Sequence, residues 1–133
     1  MILLDTHVLL WHRQNPARLG RHARRRIEGL TVADGLAISA ISFWEIGLLL
    51  DDSHIRLGQS LAAWRRELAY DQILELPVDG DIALRAGELM SWHRDPADRL
   101  ILATAAVKDA TLMTADQTLL NCGLPIDFHD ATQ

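Results

Sequence analysis

Four acidic residues stand where apolar runs end or are interrupted. Asp5 closes Met1-Ile-Leu-Leu4, and Glu45 sits alone within Ile41-Ser-Phe-Trp-Glu-Ile-Gly-Leu-Leu-Leu50. Asp98 opens Leu100-Ile-Leu-Ala-Thr-Ala-Ala-Val107, and Asp116 follows Thr111-Leu-Met-Thr-Ala115. Carboxylates in apolar surroundings are costly unless paired or coordinated, because desolvation disfavours the charged form. Two of them ~4 Å apart repel by roughly 4 kcal/mol at an effective dielectric of ~20. No basic run lies near enough in sequence to neutralise all four, whereas a divalent cation between them would. Oxygen-only ligands select a hard ion, Mg²⁺ or Mn²⁺, over zinc, which favours histidine and thiolate.

For such a site to exist, four distant segments must converge. Short apolar runs alternate with helical patterns along the chain, the signature of an α/β fold with a mostly parallel sheet. Strands are predicted near 2–5, 36–39, 73–76, 111–114 and 126–129, and helices near 8–13, 17–30, 41–50, 60–70, 80–93, 96–109 and 117–121. Leu19, Ala23, Ile27 and Leu30 recur at helical spacing, with Arg18, Arg21 and Arg25 on another face; Ile82, Ala86, Leu89 and Met90 repeat the pattern. The helix at 100–107 is apolar all round and is expected to be buried. In an open parallel sheet the working site lies outside the carboxyl ends of the strands. Asp5 and Asp116 finish the first and fourth strands on this reading, and Glu45 and Asp98 lie on helices that leave or approach the same edge.

Each acid also has a purely structural explanation. Asp5 fits a local turn with Thr6, Ser42-Phe-Trp-Glu45 matches a capping box, and Asp116 suits the cap of a short helix. Asp95-Pro96-Ala97-Asp98 reads as an N-cap, a proline at the first helical position and an acid favoured by the helix dipole. Four independent caps have no reason to share one edge of one sheet, and that coincidence favours the cation.

Composition narrows the classes. The 133 residues are expected to form one domain, residues 1–133, with a real core. The longest apolar stretches, 46–50 and 100–107, fall well short of the ~20 residues of a membrane span. Asp5 and His7 interrupt the only candidate leader, and the lone Cys122 permits no intrachain disulfide, so a cytoplasmic setting is expected. The net charge of -5 argues against nonspecific coating of duplex DNA. It conceals an asymmetry: residues 1–30 carry arginines 13, 18, 21, 24, 25 and 26 against only Asp5 and Glu28. The histidines (7, 12, 22, 54, 93, 129) show no zinc spacing. The tryptophans (11, 44, 64, 92) are expected to pack in cores or interfaces.

The segments Leu3-Leu-Asp-Thr-His-Val-Leu-Leu-Trp11, Ile38-Ser-Ala-Ile-Ser-Phe-Trp-Glu-Ile46, His93-Arg-Asp-Pro-Ala-Asp-Arg-Leu-Ile-Leu-Ala103 and Leu112-Met-Thr-Ala-Asp116 resemble the signature blocks of PIN-domain nucleases, and most closely the VapC-type toxins of bacterial toxin–antitoxin pairs. The resemblance spans essentially the whole chain. It implies a three-layer α/β/α sandwich and an Mg²⁺- or Mn²⁺-dependent endoribonuclease, with Asp5, Glu45, Asp98 and Asp116 as the metal-centred, catalytic acids. It further implies that the Thr6 and Thr114 hydroxyls support the first and fourth acids, that Asp95 caps its helix, and that the protein is a homodimer silenced by a cognate antitoxin. Arg99 and the Arg18, Arg21, Arg25 stripe are candidates for RNA phosphate contacts. Two departures stand out: Leu48, Leu49 and Leu50 occupy the turn where relatives often carry a lysine, and Ala97 replaces a frequent aromatic.

Other classes fit less well. A phosphoacceptor receiver needs a lysine at a later strand end, and the only lysine, Lys108, falls inside a predicted helix. No glycine fingerprint follows the first strand, against a dinucleotide-binding domain. The alternative that keeps the fold without the chemistry is a noncatalytic PIN-fold interaction module.

Overall fold

A computed structural model describes residues 1–89 and 95–133. Five short strands form one parallel sheet: β1 (Ile2–Leu4), β2 (Leu36–Ser39), β3 (Ile73–Leu76), β4 (Thr111–Thr114) and β5 (Phe128–Asp130), in the order β3-β2-β1-β4-β5. The helices are α1 (Thr6–Gln14), α2 (Arg21–Glu28), α3 (Ile41–Asp51), α4 (Leu61–Tyr70), α5 (Gly80–Glu88), α6 (Pro96–Lys108) and α7 (Gln117–Leu120), with a 3₁₀ turn at Pro16–Arg18.

Alternation along the strands builds the two faces. Ile2, Leu4, Ile38 and Met113 pack on one side with Val8 and Leu9 of α1, Ile46 of α3, and Trp64 and Leu68 of α4. Leu3, Ala37 and Leu112 pack on the other with Ile101, Leu102 and Ala105 of α6. The result is the expected α/β/α sandwich, and α6 buries Ile101 through Ala105 as its apolar sequence requires. β1 lies at the centre, paired with β2 and β4. The strand order reverses direction between β1 and β4, which opens a crevice at their carboxyl ends.

Three elements depart from the sequence expectations. The helix predicted at 17–30 is broken at Leu19 and Gly20, both extended. The cause lies over a hundred residues away: Gly20 N–H donates to Ala131 O (2.8 Å) and His22 N–H to Gln133 O (2.8 Å). A Cβ on Gly20 would stand 2.1 Å from the Gln133 carbonyl carbon, so only glycine admits the chain end there. α1 starts at Thr6 rather than near residue 8, because Asp5 caps it. β5 lies at Phe128–Asp130 rather than 126–129, set by pairing of Leu112 with Phe128. The part of the predicted helix 80–93 beyond Leu89, with Met90, Trp92 and His93, falls outside the described residues.

Candidate active site

The carboxyl end of β1 delivers Asp5 into the crevice with both oxygens engaged. Oδ1 accepts from the Thr6 amide (2.8 Å), capping α1, while Oδ2 accepts from the Thr114 hydroxyl at the end of β4 (2.7 Å). The same Thr114 oxygen accepts the Asp116 amide (3.1 Å), so one buried hydroxyl ties the first acid to the fourth across the switch point. Asp116 then caps α7 through Thr118 N–H (2.8 Å). Asp5 is 7% exposed, and burial pushes its carboxyl above the usual range against the opposing pull of the Thr114 and Thr6 hydrogen bonds.

Glu45 enters from α3. Thr6 Oγ1 donates to its Oε1 (2.5 Å) and lies 2.8 Å from Ser42 Oγ, which sits one turn before Glu45. Because the Thr6 proton is committed to the carboxylate, Ser42 is the donor in the second bond. The capping box expected between Ser42 and Glu45 therefore does not form. The helix begins instead after Ala40, without a side-chain cap, and both residues turn to Thr6. The Thr6 hydroxyl thus supports the second acid, not the first, to which it contributes only its amide. Burial pushes the Glu45 carboxyl up to about 7; the Thr6 bond opposes this, and the charges of Asp5, Asp98 and Asp95 add to it.

α6 supplies two acids from its first turn. Asp95 caps the helix as expected, its Oδ1 accepting from Ala97 N–H (2.9 Å) and Asp98 N–H (3.5 Å). Its carboxylate also faces the other acids: Glu45, Asp95 and Asp98 offer oxygens within 4.8 Å of one another, a spacing that fits a hard cation. Asp5, Glu45, Asp95, Asp98 and Asp116 line one cleft of about 440 Å³ together with His7, Trp11 and Ala115. The four acids singled out in the sequence are thus brought to one place, and Asp95 joins them. His7 and Trp11 are the residues that sequence reasoning missed; their i,i+4 spacing after Asp5 places them on one face of α1, which was the available signal.

The arginines are distributed otherwise. Arg18 borders a cavity beside the cleft. Arg21 and Arg25 are exposed on α2 and line neither the cleft nor the cavities beside it. Arg99 is half-buried, its Nε without a hydrogen-bond partner among the described residues, and it does not line the cleft.

The PIN domain family model matches residues 2–122. The chain belongs to the PIN-domain family. Within it, this PIN domain is 37% identical over 119 residues to Ribonuclease VapC22 of Mycobacterium tuberculosis, covering 89% of this chain and 88% of that protein. Its fold is similar to VapBC-1 from nontypeable Haemophilus influenzae (TM-score 0.70, 22% identity, all of both chains). It is also similar to the DNA-bound VapBC of Salmonella typhimurium (TM-score 0.70, 19% identity, 97% of this chain and 96% of that chain). A toxin–antitoxin complex from Klebsiella pneumoniae matches with TM-score 0.63 and 23% identity over 94% of this chain and 93% of that chain. It is thus a PIN domain of VapC type. None of its described helices is long and apolar enough to cross a membrane.

Proposed function

We propose that this PIN domain is a Mg²⁺- or Mn²⁺-dependent endoribonuclease, the toxin of a toxin–antitoxin pair. The convergence of five carboxylates on one cleft at the β1–β4 switch point carries the reading. Asp5, Glu45, Asp98 and Asp116 would hold the cation, directly or through water, with Asp95 adding a fifth carboxylate. A bound divalent ion supplies Lewis-acid activation of water and neutralises charge developing on the phosphate. The protein's own part is positional. Thr114 fixes Asp5; Thr6, backed by Ser42, fixes Glu45; and the α6 N-terminus fixes Asp95, so these oxygens are held in place before the reaction.

Attack of water in line on phosphorus forms a P–O bond as the P–O3′ bond breaks. The products are a 5′-phosphate and a 3′-hydroxyl, the leaving oxygen taking a proton. Single-stranded RNA or exposed loops suit a recessed site, since flexible strands can be threaded into it. The similarity to Ribonuclease VapC22 and to a toxin–antitoxin complex supports a ribonuclease with a cognate antitoxin as partner, and the proposal places it in the cytoplasm as a homodimer. The test is digestion of total cellular RNA with and without Mn²⁺, with mapping of the new 5′ ends. Discrete, Mn²⁺-dependent 5′-phosphate ends are expected; equal cleavage in chelator, or none with metal, would overturn the assignment.

A further inference from the structure

His7 and Trp11, one turn apart on α1, form a wall shared by the acidic cleft and a second cavity of about 450 Å³. Leu49 and Ile55 give this cavity an apolar lining, and Arg18 and His54 border it. The Arg18 guanidinium lies 4.4 Å from the centroid of the Trp11 ring, so the indole holds a flat cation in place. Among the described residues no carboxylate pairs with Arg18. On the other flank of His7 the neighbouring cavity is lined by Trp44, Leu48, Leu49 and Pro96 with Glu45 and Asp95, with no arginine or lysine among its described lining residues. Arg18 is therefore the one permanent cation among the described residues lining the cleft and its two neighbours.

We infer that the Trp11–Arg18 cavity is a nucleotide subsite, receiving the RNA unit that flanks the scissile phosphate. The inference rests on the nuclease reading and deepens it. A polyanion entering a cleft of five carboxylates needs positive charge beside it, and among the described lining residues Arg18 provides it. The stacked indole and guanidinium offer a flat surface for a base, while the guanidinium edge keeps N–H donors for phosphate. The volume lies within the range of cavities that take small ligands, ~300–1,000 Å³. An acidic protein segment would value the charge but has less use for the aromatic stack.

The experiment measures binding of a fluorescein-labelled single-stranded RNA ten-mer by anisotropy, in an Asp98→Asn background where cleavage does not intervene, over a range of salt concentrations. Arg18→Gln is expected to weaken binding about tenfold and to reduce the slope of log K against log salt by about 0.7, the value for one lost single-strand phosphate contact. Trp11→Phe, which keeps the packing, is expected to weaken it about threefold while leaving that slope unchanged. The slope separates a phosphate contact from a folding defect. An unchanged slope and affinity in Arg18→Gln, or no RNA binding by the Asp98→Asn parent, would overturn the subsite and leave the cavity to a protein partner. Cleavage by the wild type in Mn²⁺ is scored separately, so an inactive protein that still loses RNA through Arg18→Gln would refute the nuclease reading and keep the subsite.

Discussion

The hydroxyl of Thr6, at the start of α1, donates to Glu45 of α3 at 2.5 Å while accepting from Ser42 on the same helix. Thr6 is 1% exposed and Ser42 is fully buried, so this short chain is shielded from water. It fixes one oxygen of a carboxylate that burial would otherwise drive towards its neutral form.

Replacing Thr6 by valine keeps the shape and removes the donor. The half-saturating Mn²⁺ concentration for RNA cleavage is expected to rise about tenfold, the equivalent of one hydrogen bond to a charged group. Thr6→Ser, which retains the hydroxyl, should restore most of the affinity. Equal half-saturation in all three proteins would show that the bond does not position Glu45.

In the metal-free protein the stabilising contribution of protonated Glu45 should be lost as pH rises. Glu45 has a folded-state value of about 7 against an ordinary 4.5, so the native state binds more protons than the unfolded chain between those values. The contribution of Glu45 is therefore fully present below pH ~4.5 and is lost as pH climbs through ~7, with Asp5 shifted in the same direction and the partly buried His12 and His129, whose values are lowered, opposing it. Allowing for the partial solvent access of Glu45, the loss is about 1–2 kcal/mol. Urea unfolding at pH 5 and pH 8 in chelator measures it, and Glu45→Gln should flatten the difference. A difference between pH 5 and pH 8 that Glu45→Gln leaves unchanged would contradict the burial of this acid.

Asp95 allows its two roles to be separated. Asparagine caps a helix about as well as aspartate, so metal-free Asp95→Asn should match wild type within ~0.5 kcal/mol, whereas Asp95→Ala should lose about 1 kcal/mol. If the carboxylate also serves the cation, Asp95→Asn nevertheless weakens Mn²⁺ binding several-fold. Unaltered Mn²⁺ affinity in that variant would reduce Asp95 to a cap.

Gly20→Ala tests what breaks the predicted helix 17–30. The added methyl would collide with backbone of Gln133 rather than with a movable side chain. A destabilisation of about 2–3 kcal/mol in urea is expected. A neutral effect would mean that the chain end moves freely aside.

The three inner strands were legible because β1, β2 and β4 are each a short apolar run closed by a polar residue, as in Met1-Ile-Leu-Leu-Asp5. The four acids were legible because each broke such a run. Sequence could not tell that Asp95 serves both as cap and as cleft wall, since a cap satisfies all the local evidence. Nor could it tell that Ser42 and Glu45 abandon their capping box for Thr6, a partner 36 and 39 positions away. The periodicity of Leu19, Ala23, Ile27 and Leu30 suggested one helix because the contact that breaks it, Gly20 against Gln133, joins distant parts of the chain. Local pattern reports local preference, and each of these misses was decided by a long-range contact.

Whether these carboxylates share a divalent cation is tested most directly by titration calorimetry with Mn²⁺. Wild-type protein is expected to bind Mn²⁺ with saturable heat, and a concentration 100 times the Kd should raise stability by about 2.7 kcal/mol. Glu45→Gln and Asp98→Asn should each weaken that binding at least tenfold while remaining folded. Wild-type and variant proteins that take up Mn²⁺ equally, or a wild type that takes up none, would contradict the shared cation.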